Sequence, residues 1–145
     1  YLIYGNGAIF NSFNSINVEY VDIKKINGRE HYSIVTALPP PLNQTYKIRR
    51  GGMYKSDMMV SWQHHLQWLL KSKFRSFRPW TEPITIFLTM YLKYDRDIDS
   101  SLKGVFDALE GFVYENDKQI VDVHILKIRD KAHPRLEAEL FTTSV

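Results

Sequence analysis

The sequence predicts a single mixed α/β (α+β) domain in which one mixed sheet packs against two main helices. Segments of alternating apolar and polar residues recur along the chain, and two other segments carry apolar residues at helical spacing. Turn-forming residues separate these segments. A length of 145 residues suits one domain, and 44% apolar with 24% charged residues is the balance of a globular protein.

The first predicted unit is a β-hairpin. An extended run over Val18–Lys25 leads into Asn27-Gly28, a pair typical of tight hairpin turns, and a second strand is expected near Tyr32–Leu38. Pro39–Pro41 ends that strand because proline has no backbone N–H to donate. We interpret residues 1–30 as an N-terminal extension with a strand and a hairpin turn, and residues 31–145 as the main domain.

The segment around Gly51-Gly52 predicts an exposed hairpin or loop between the prolines and the first helix. Its basic and aromatic residues are Tyr46, Lys47, Arg49, Arg50, Tyr54 and Lys55. Such a set can hold phosphates and stack on unpaired bases, although an ordinary exposed hairpin explains it equally well. A net charge of +3 is a mild basic bias that is compatible with a polyanionic partner.

Two helices and three further strands complete the predicted domain. Ser56 or Asp57 is expected to cap the first helix, which runs to about Phe74. Its expected buried face consists of Met58, Met59, Trp62, Leu66, Leu69 and Leu70. Alternation predicts a strand over Ile84–Tyr94, and apolar spacing predicts a helix over about Ser100–Glu110, which Gly111 ends. The last two strands are expected at Ile120–Arg129 and Arg135–Phe141.

Asp97, Asp99 and Asp117 are the candidate acidic site. Asp97 and Asp99 lie two residues apart where a strand gives way to a helix, so in extended backbone their carboxylates point the same way and repel each other. A divalent ion relieves that repulsion, and all-oxygen ligands favour Mg²⁺ or Mn²⁺. The plainer interpretation is a structural turn, and spacing alone does not show whether Asp117 meets the other two. Lys103 is either a cation for a phosphodiester or an ordinary helix ion pair.

Two stretches resemble the signature of the RusA family. Asp97–Leu109 (DIDSSLKGVFDAL) and Asn116–Asp122 (NDKQIVD) are similar to its D-x-D-N-x-x-K, F-D-A-L and D-D-x-Q-[VI]-V-D motifs. Leu38–Tyr46 (LPPPLNQTY) resembles the Pro-rich turn of the family. The matches lie in order over about Tyr32–Phe141, so the resemblance assigns residues 31–145 to the endonuclease domain.

The resemblance implies a homodimeric Holliday-junction resolvase that acts in DNA recombination and repair. It would nick four-way junction DNA symmetrically by Mg²⁺-dependent phosphodiester hydrolysis, with Mn²⁺ as a possible substitute. On the matching positions, Asp97, Asp99 and Asp117 would bind the metal, and Lys103 would be the essential basic residue near the scissile phosphate. The residues of the predicted hairpin, Tyr46, Lys47, Arg49, Arg50, Tyr54 and Lys55, would then contact DNA.

Two departures from the signature keep other functions open. Ser100 stands where the family has Asn, and Asn116 replaces the first Asp of the D-D pair. The alternatives are a junction-binding protein with weakened or absent catalysis and an unrelated α/β protein. The sequence has no cysteine and no apolar run near the roughly 18 residues of a membrane span. We therefore expect a cytoplasmic, nucleoid-associated protein without a membrane partner.

Overall fold

The computed structural model describes residues 2–4, 8–10, 18–41, 46–73, 78–100 and 102–144. Its strands are β1 (Leu2–Tyr4), β2 (Ala8–Phe10), β3 (Val18–Ile26), β4 (Arg29–Thr36), β5 (Tyr46–Arg49), β6 (Gly52–Lys55), β7 (Ile84–Leu92), β8 (Ile120–Arg129) and β9 (Arg135–Thr142). The helices are α1 (Asp57–Lys73) and α2 (Leu102–Leu109), with a 3-10 turn at Asp117–Gln119. The prediction of a mixed α+β domain with two main helices is confirmed.

One sheet carries most of the strands, in the order β1-β2-β3-β4-β9-β7-β8. Neighbouring strands are antiparallel except β7 and β8, which are parallel. Parallel strands need a long crossover connection, and α2 lies in that connection. The hairpin between β3 and β4 turns at Asn27 and Gly28, whose φ angles of 52° and 77° are those that a two-residue turn of this kind requires.

The core forms where alternate residues of β7 meet the helices. Ile84, Ile86, Leu88, Met90 and Leu92 are all buried, in one cluster with the apolar residues of α1 and α2. The buried positions of α1 are Met59, Trp62, Gln63, Leu66, Leu69 and Leu70. The prediction that Met58 is buried is wrong, because this side chain lies at the edge of the apolar face and is 57% exposed. Gln63, at the opposite edge, is buried instead.

Hydrogen bonds fix where α1 begins and how it lies on the domain. The Ser56 hydroxyl accepts the backbone N–H of Met59 at 3.2 Å, so Ser56 caps the helix as predicted. The Trp62 indole donates to the carbonyl of Ala37 at 2.9 Å. The helix continues to Lys73, and its predicted last residue, Phe74, lies outside the described residues. Neither helix of the described chain is long and apolar enough to cross a membrane.

Strands β5 and β6 form a separate two-stranded hairpin, which we call the hairpin arm. It confirms the hairpin expected around Gly51-Gly52. Ile48 and Met53 face each other across it and are 85% and 65% exposed. The hairpin arm therefore projects from the domain and joins it through Lys55, the residue that precedes the cap of α1.

Candidate active site

The segment before β8 fixes Asp117 through local hydrogen bonds. The Asn116 side-chain oxygen accepts the backbone N–H of Lys118 at 2.9 Å, and the Gln119 side-chain oxygen accepts the backbone N–H of Asn116 at 2.8 Å. These reciprocal bonds form a capping box around the 3-10 turn. The Gln119 amide also donates to the carbonyl of Trp80 at 2.7 Å. Asn116, one of the departures from the family signature, thus supports the turn that carries Asp117.

Lys103 joins two carboxylates at the start of α2. Its ammonium donates to Asp117 at 2.8 Å and forms an ion pair with Asp107 at 3.1 Å. The hydrogen bond to Asp117, followed by the one to Asp107, raises the pKa of Lys103 above its ordinary value. Lys103 therefore stays protonated at neutral pH, which suits a fixed positive charge and excludes a role as a general base.

Asp107 binds a second lysine through its other oxygen. The distance from Asp107 Oδ2 to the Lys55 ammonium is 3.4 Å, while Oδ1 faces Lys103. Lys55 also donates to the side-chain oxygen of Gln63 at 3.3 Å. Asp107 was not among the predicted site residues, and the sequence signals for it were its place in the F-D-A-L motif and its position four residues after Lys103, which allows an i,i+4 ion pair. It connects the hairpin arm to the carboxylates around Lys103.

Three carboxylates converge beside Lys103. One oxygen from each of Asp107, Glu110 and Asp117 lies within 4.8 Å of the others, and no other described set of three acidic, histidine or cysteine side chains is so close. We call these residues the acidic group. Carboxylate oxygens are the ligands that Mg²⁺ prefers, and this ion usually takes only one or two of them with water and phosphate oxygens. The donor chemistry of the acidic group therefore fits the ion that the resemblance implies.

Asp97 and Asp99 lie in the turn that leads from β7 to α2. Both side chains are exposed, and their backbone carbonyls accept the N–H groups of Ser100 at 3.1 Å and Leu102 at 3.4 Å. Asp97 follows the C-terminal end of β7, whereas Asp117 precedes the N-terminal end of the parallel strand β8. The structure does not bring Asp97 and Asp99 into the acidic group, so their predicted role in metal binding stays a prediction.

The hairpin arm contributes a basic surface. Lys47, Arg50, Tyr54 and Lys55 are exposed, whereas the side chains of Tyr46 and Arg49 lie outside the described residues. Of the described side chains in the predicted DNA-binding set, Lys55 is the one that contacts the acidic group. The arrangement places cations from the hairpin arm and from α2 on the same carboxylate.

Comparison with protein families identifies the family of this chain. A family model described as "Endodeoxyribonuclease RusA" matches residues 37–140. The matched region contains the hairpin arm, both helices, the acidic group and the Asp97–Asp99 turn, and it begins after β4. No curated protein matches the chain.

Proposed function

Because the chain belongs to the RusA family of endodeoxyribonucleases, we propose that it resolves Holliday junctions as an Mg²⁺-dependent DNA endonuclease. The observation that carries this proposal is the protonated Lys103 held between two carboxylates inside the matched region. The proposed setting is DNA recombination and repair in the cytoplasm, with a homodimer presenting two sites to the two strands that are cut.

The proposed chemistry divides between the carboxylates and Lys103. Asp97, Asp99 and Asp117 are the proposed metal ligands, and Mn²⁺ is a possible substitute for Mg²⁺. When bound, a divalent ion would activate water and neutralise charge on the phosphate. Lys103 supplies a second positive charge for the oxygen atoms that become more negative as the phosphodiester is attacked. Its 2.8 Å hydrogen bond to Asp117 places that charge beside one of the proposed metal ligands.

Glu110 is a competing ligand, favoured by its place in the acidic group. Asp107 is the least available member of that group, because each of its oxygens already faces a lysine. Isothermal titration with Mg²⁺ separates the two ligand sets. We expect Asp97→Asn and Asp117→Asn to weaken Mg²⁺ binding, whereas Glu110→Gln leaves it near wild type. If Glu110→Gln instead weakened Mg²⁺ binding and Asp97→Asn left it near wild type, the metal site would lie in the acidic group.

The hairpin arm is the proposed DNA contact, through Tyr46, Lys47, Arg49, Arg50, Tyr54 and Lys55. Its exposed cations match the negative charge of the DNA backbone, and its tyrosines can stack on bases that are unpaired at the branch point. If six or so phosphates are contacted across a dimer, junction affinity should fall by roughly 10³-fold between 50 and 200 mM salt.

The direct test uses a labelled four-way junction incubated with the protein and either Mg²⁺ or a chelator. Symmetrical nicks that require Mg²⁺ are the expected result, and an unbranched duplex of the same sequence is the control substrate. Binding without nicks under both conditions would instead identify a junction-binding protein without catalysis, the alternative that the Ser100 and Asn116 departures leave open. If neither binding nor cleavage occurs, the proposal is wrong.

A further inference from the structure

We infer that Asp107 is a positioning residue that holds Lys103 at the site and couples it to the hairpin arm through Lys55. This inference rests on the proposed function and assigns Asp107 a role distinct from metal binding. It starts from the ion pairs of one carboxylate with lysines from two different elements.

Asp107 is the least exposed of the three residues Lys55, Asp107 and Lys103. Its side chain is 20% exposed, compared with 37% for Lys55 and 63% for Lys103. A short, largely covered carboxylate has little freedom, whereas the two lysines have long and flexible side chains. The position of Asp107 therefore determines where the two ammonium groups lie, rather than the reverse.

Lys103 needs a partner that remains when Asp117 binds metal. A carboxylate that coordinates an ion offers less negative charge to a neighbouring ammonium, so a metal ion on Asp117 would weaken its 2.8 Å contact with Lys103. Asp107 lies four residues after Lys103 on α2, where side chains share one face of the helix. Its ion pair with Lys103 is therefore the contact that keeps the ammonium beside the phosphate.

Lys55 connects the same carboxylate to the DNA-binding surface. It is the last residue of β6, and Gln63 accepts its second hydrogen bond at 3.3 Å. The Gln63 amide in turn donates to the carbonyl of Gly104 on α2 at 2.9 Å. The base of the hairpin arm is thus held to α2 by two routes. Junction binding that moves the hairpin arm acts directly on the carboxylate that orients Lys103.

The first experiment measures the reactivity of Lys103 without requiring cleavage. Metal-free wild type and Asp107→Asn are treated with a limiting amine-acetylating reagent, and mass spectrometry quantifies modification at Lys103 and, as an internal control, at Lys118. We expect Asp107→Asn to raise labelling at Lys103 several-fold, because a lysine side chain that loses one of its two ion pairs is held less firmly and meets the reagent more often. Asp107→Glu should restore part of the protection.

Glu110→Gln is the matched variant for this experiment. It removes the same charge from the acidic group but leaves both ion pairs of Lys103 in place, so Lys103 labelling should change less than in Asp107→Asn. Equal labelling of Lys103 in wild type and Asp107→Asn would overturn the inference. This outcome is independent of whether the protein cuts DNA, so a failure of the proposed function is seen separately in the junction assay.

The second experiment separates positioning from metal binding. Asp107→Asn should lower kcat for junction cleavage about tenfold or more while Mg²⁺ affinity and junction binding in chelator stay near wild type. Lys55→Met should raise KM and also lower kcat. In the double variant of Asp107→Asn and Lys55→Met, the fold-loss of kcat should be smaller than the product of the two single losses. A loss of Mg²⁺ affinity as large as that of Asp117→Asn would make Asp107 a metal ligand and contradict the inference.

Discussion

Replacing Lys103 with methionine is the most direct perturbation of the site. Methionine keeps a long, unbranched side chain but removes the positive charge between Asp117 and Asp107. Two consequences follow from this change. The acidic group loses a cation that offsets its repulsion, and the phosphate loses a charge that would stabilise the transition state.

The effect on stability is set by the spacing of the carboxylates. Two like charges within 4.8 Å of each other, as in the acidic group, repel by roughly 1 kcal/mol at the dielectric constant of water. Because the Lys103 side chain is 63% exposed, solvent screening keeps the loss of stability in Lys103→Met close to this value for water. Lys55 also still neutralises part of the charge on Asp107. A loss of about 1 kcal/mol corresponds to a fall in Tm of about 3 °C for a domain of this size.

Added Mg²⁺ should partly reverse this loss. Thermal melts of wild type and Lys103→Met, with Mg²⁺ or chelator, should show a larger Mg²⁺-dependent rise in Tm for the variant, because an ion then replaces the missing charge. Junction cleavage should nevertheless fall by about 10²-fold or more, since the ion does not replace a preorganised cation at the phosphate. The control is Lys118→Met, which also removes one positive charge, from the residue that follows Asp117 in the sequence. We expect this variant to cleave the junction at close to the wild-type rate.

Two results would refute this reasoning about Lys103. Cleavage by Lys103→Met at the wild-type rate would remove Lys103 from the active site. Equal Mg²⁺-dependent changes in Tm for the two proteins would show that Lys103 and the metal ion do not share carboxylates.

Three other predictions concern the DNA surface, the core and the last turn. Replacing Lys47 and Arg50 with alanine should weaken junction binding in chelator and make the dependence of log Kd on log salt less steep by about 2, measured by fluorescence anisotropy. Leu66→Ala should lower the free energy of unfolding by about 2–5 kcal/mol in a urea titration, because Leu66 is 1% exposed in the core. The backbone N–H of His133 and then the Arg135 side chain lower the pKa of Asp130 below 3.8. The contribution of the Asp130 carboxylate to stability is therefore complete above pH 3.8 and is lost as the pH falls further. Asp130→Asn should therefore show a smaller loss of stability than wild type between about pH 4 and pH 2 in acid melts, and an equal loss would contradict this assignment.

Local patterns were sufficient for most of the secondary structure. Asn27-Gly28 predicted the β3–β4 turn because few other pairs tolerate positive φ at both positions. The alternation over Ile84–Tyr94 predicted strand β7. Met58 and Gln63 were misjudged because they lie at the two edges of the apolar face of α1, where neighbouring elements decide which side chain is covered.

Local sequence patterns predicted only part of the candidate site. The resemblance to the family signature identified Lys103 and Asp117 as candidates, and the structure brings them to 2.8 Å. It did not identify Asp107 or Glu110 as neighbours of Asp117, because residue spacing does not show how the chain turns between α2 and the 3-10 turn. It also did not show that Lys55, 52 positions before Asp107, would share that carboxylate.

The sequence by itself determined the order and type of the elements from β3 to β9 and the turn between β3 and β4, since these depend on residues close together in the chain. It also determined the family to which the chain belongs, through motifs that follow one another in order. Only the tertiary structure decided which charges from different elements face one another. Helix α2 lies in the crossover between the parallel strands β7 and β8, and packing between elements brings Lys55 to Asp107 and Asp117 to Lys103. Contacts between residues far apart in the chain depend on the whole fold, and no local pattern encodes them.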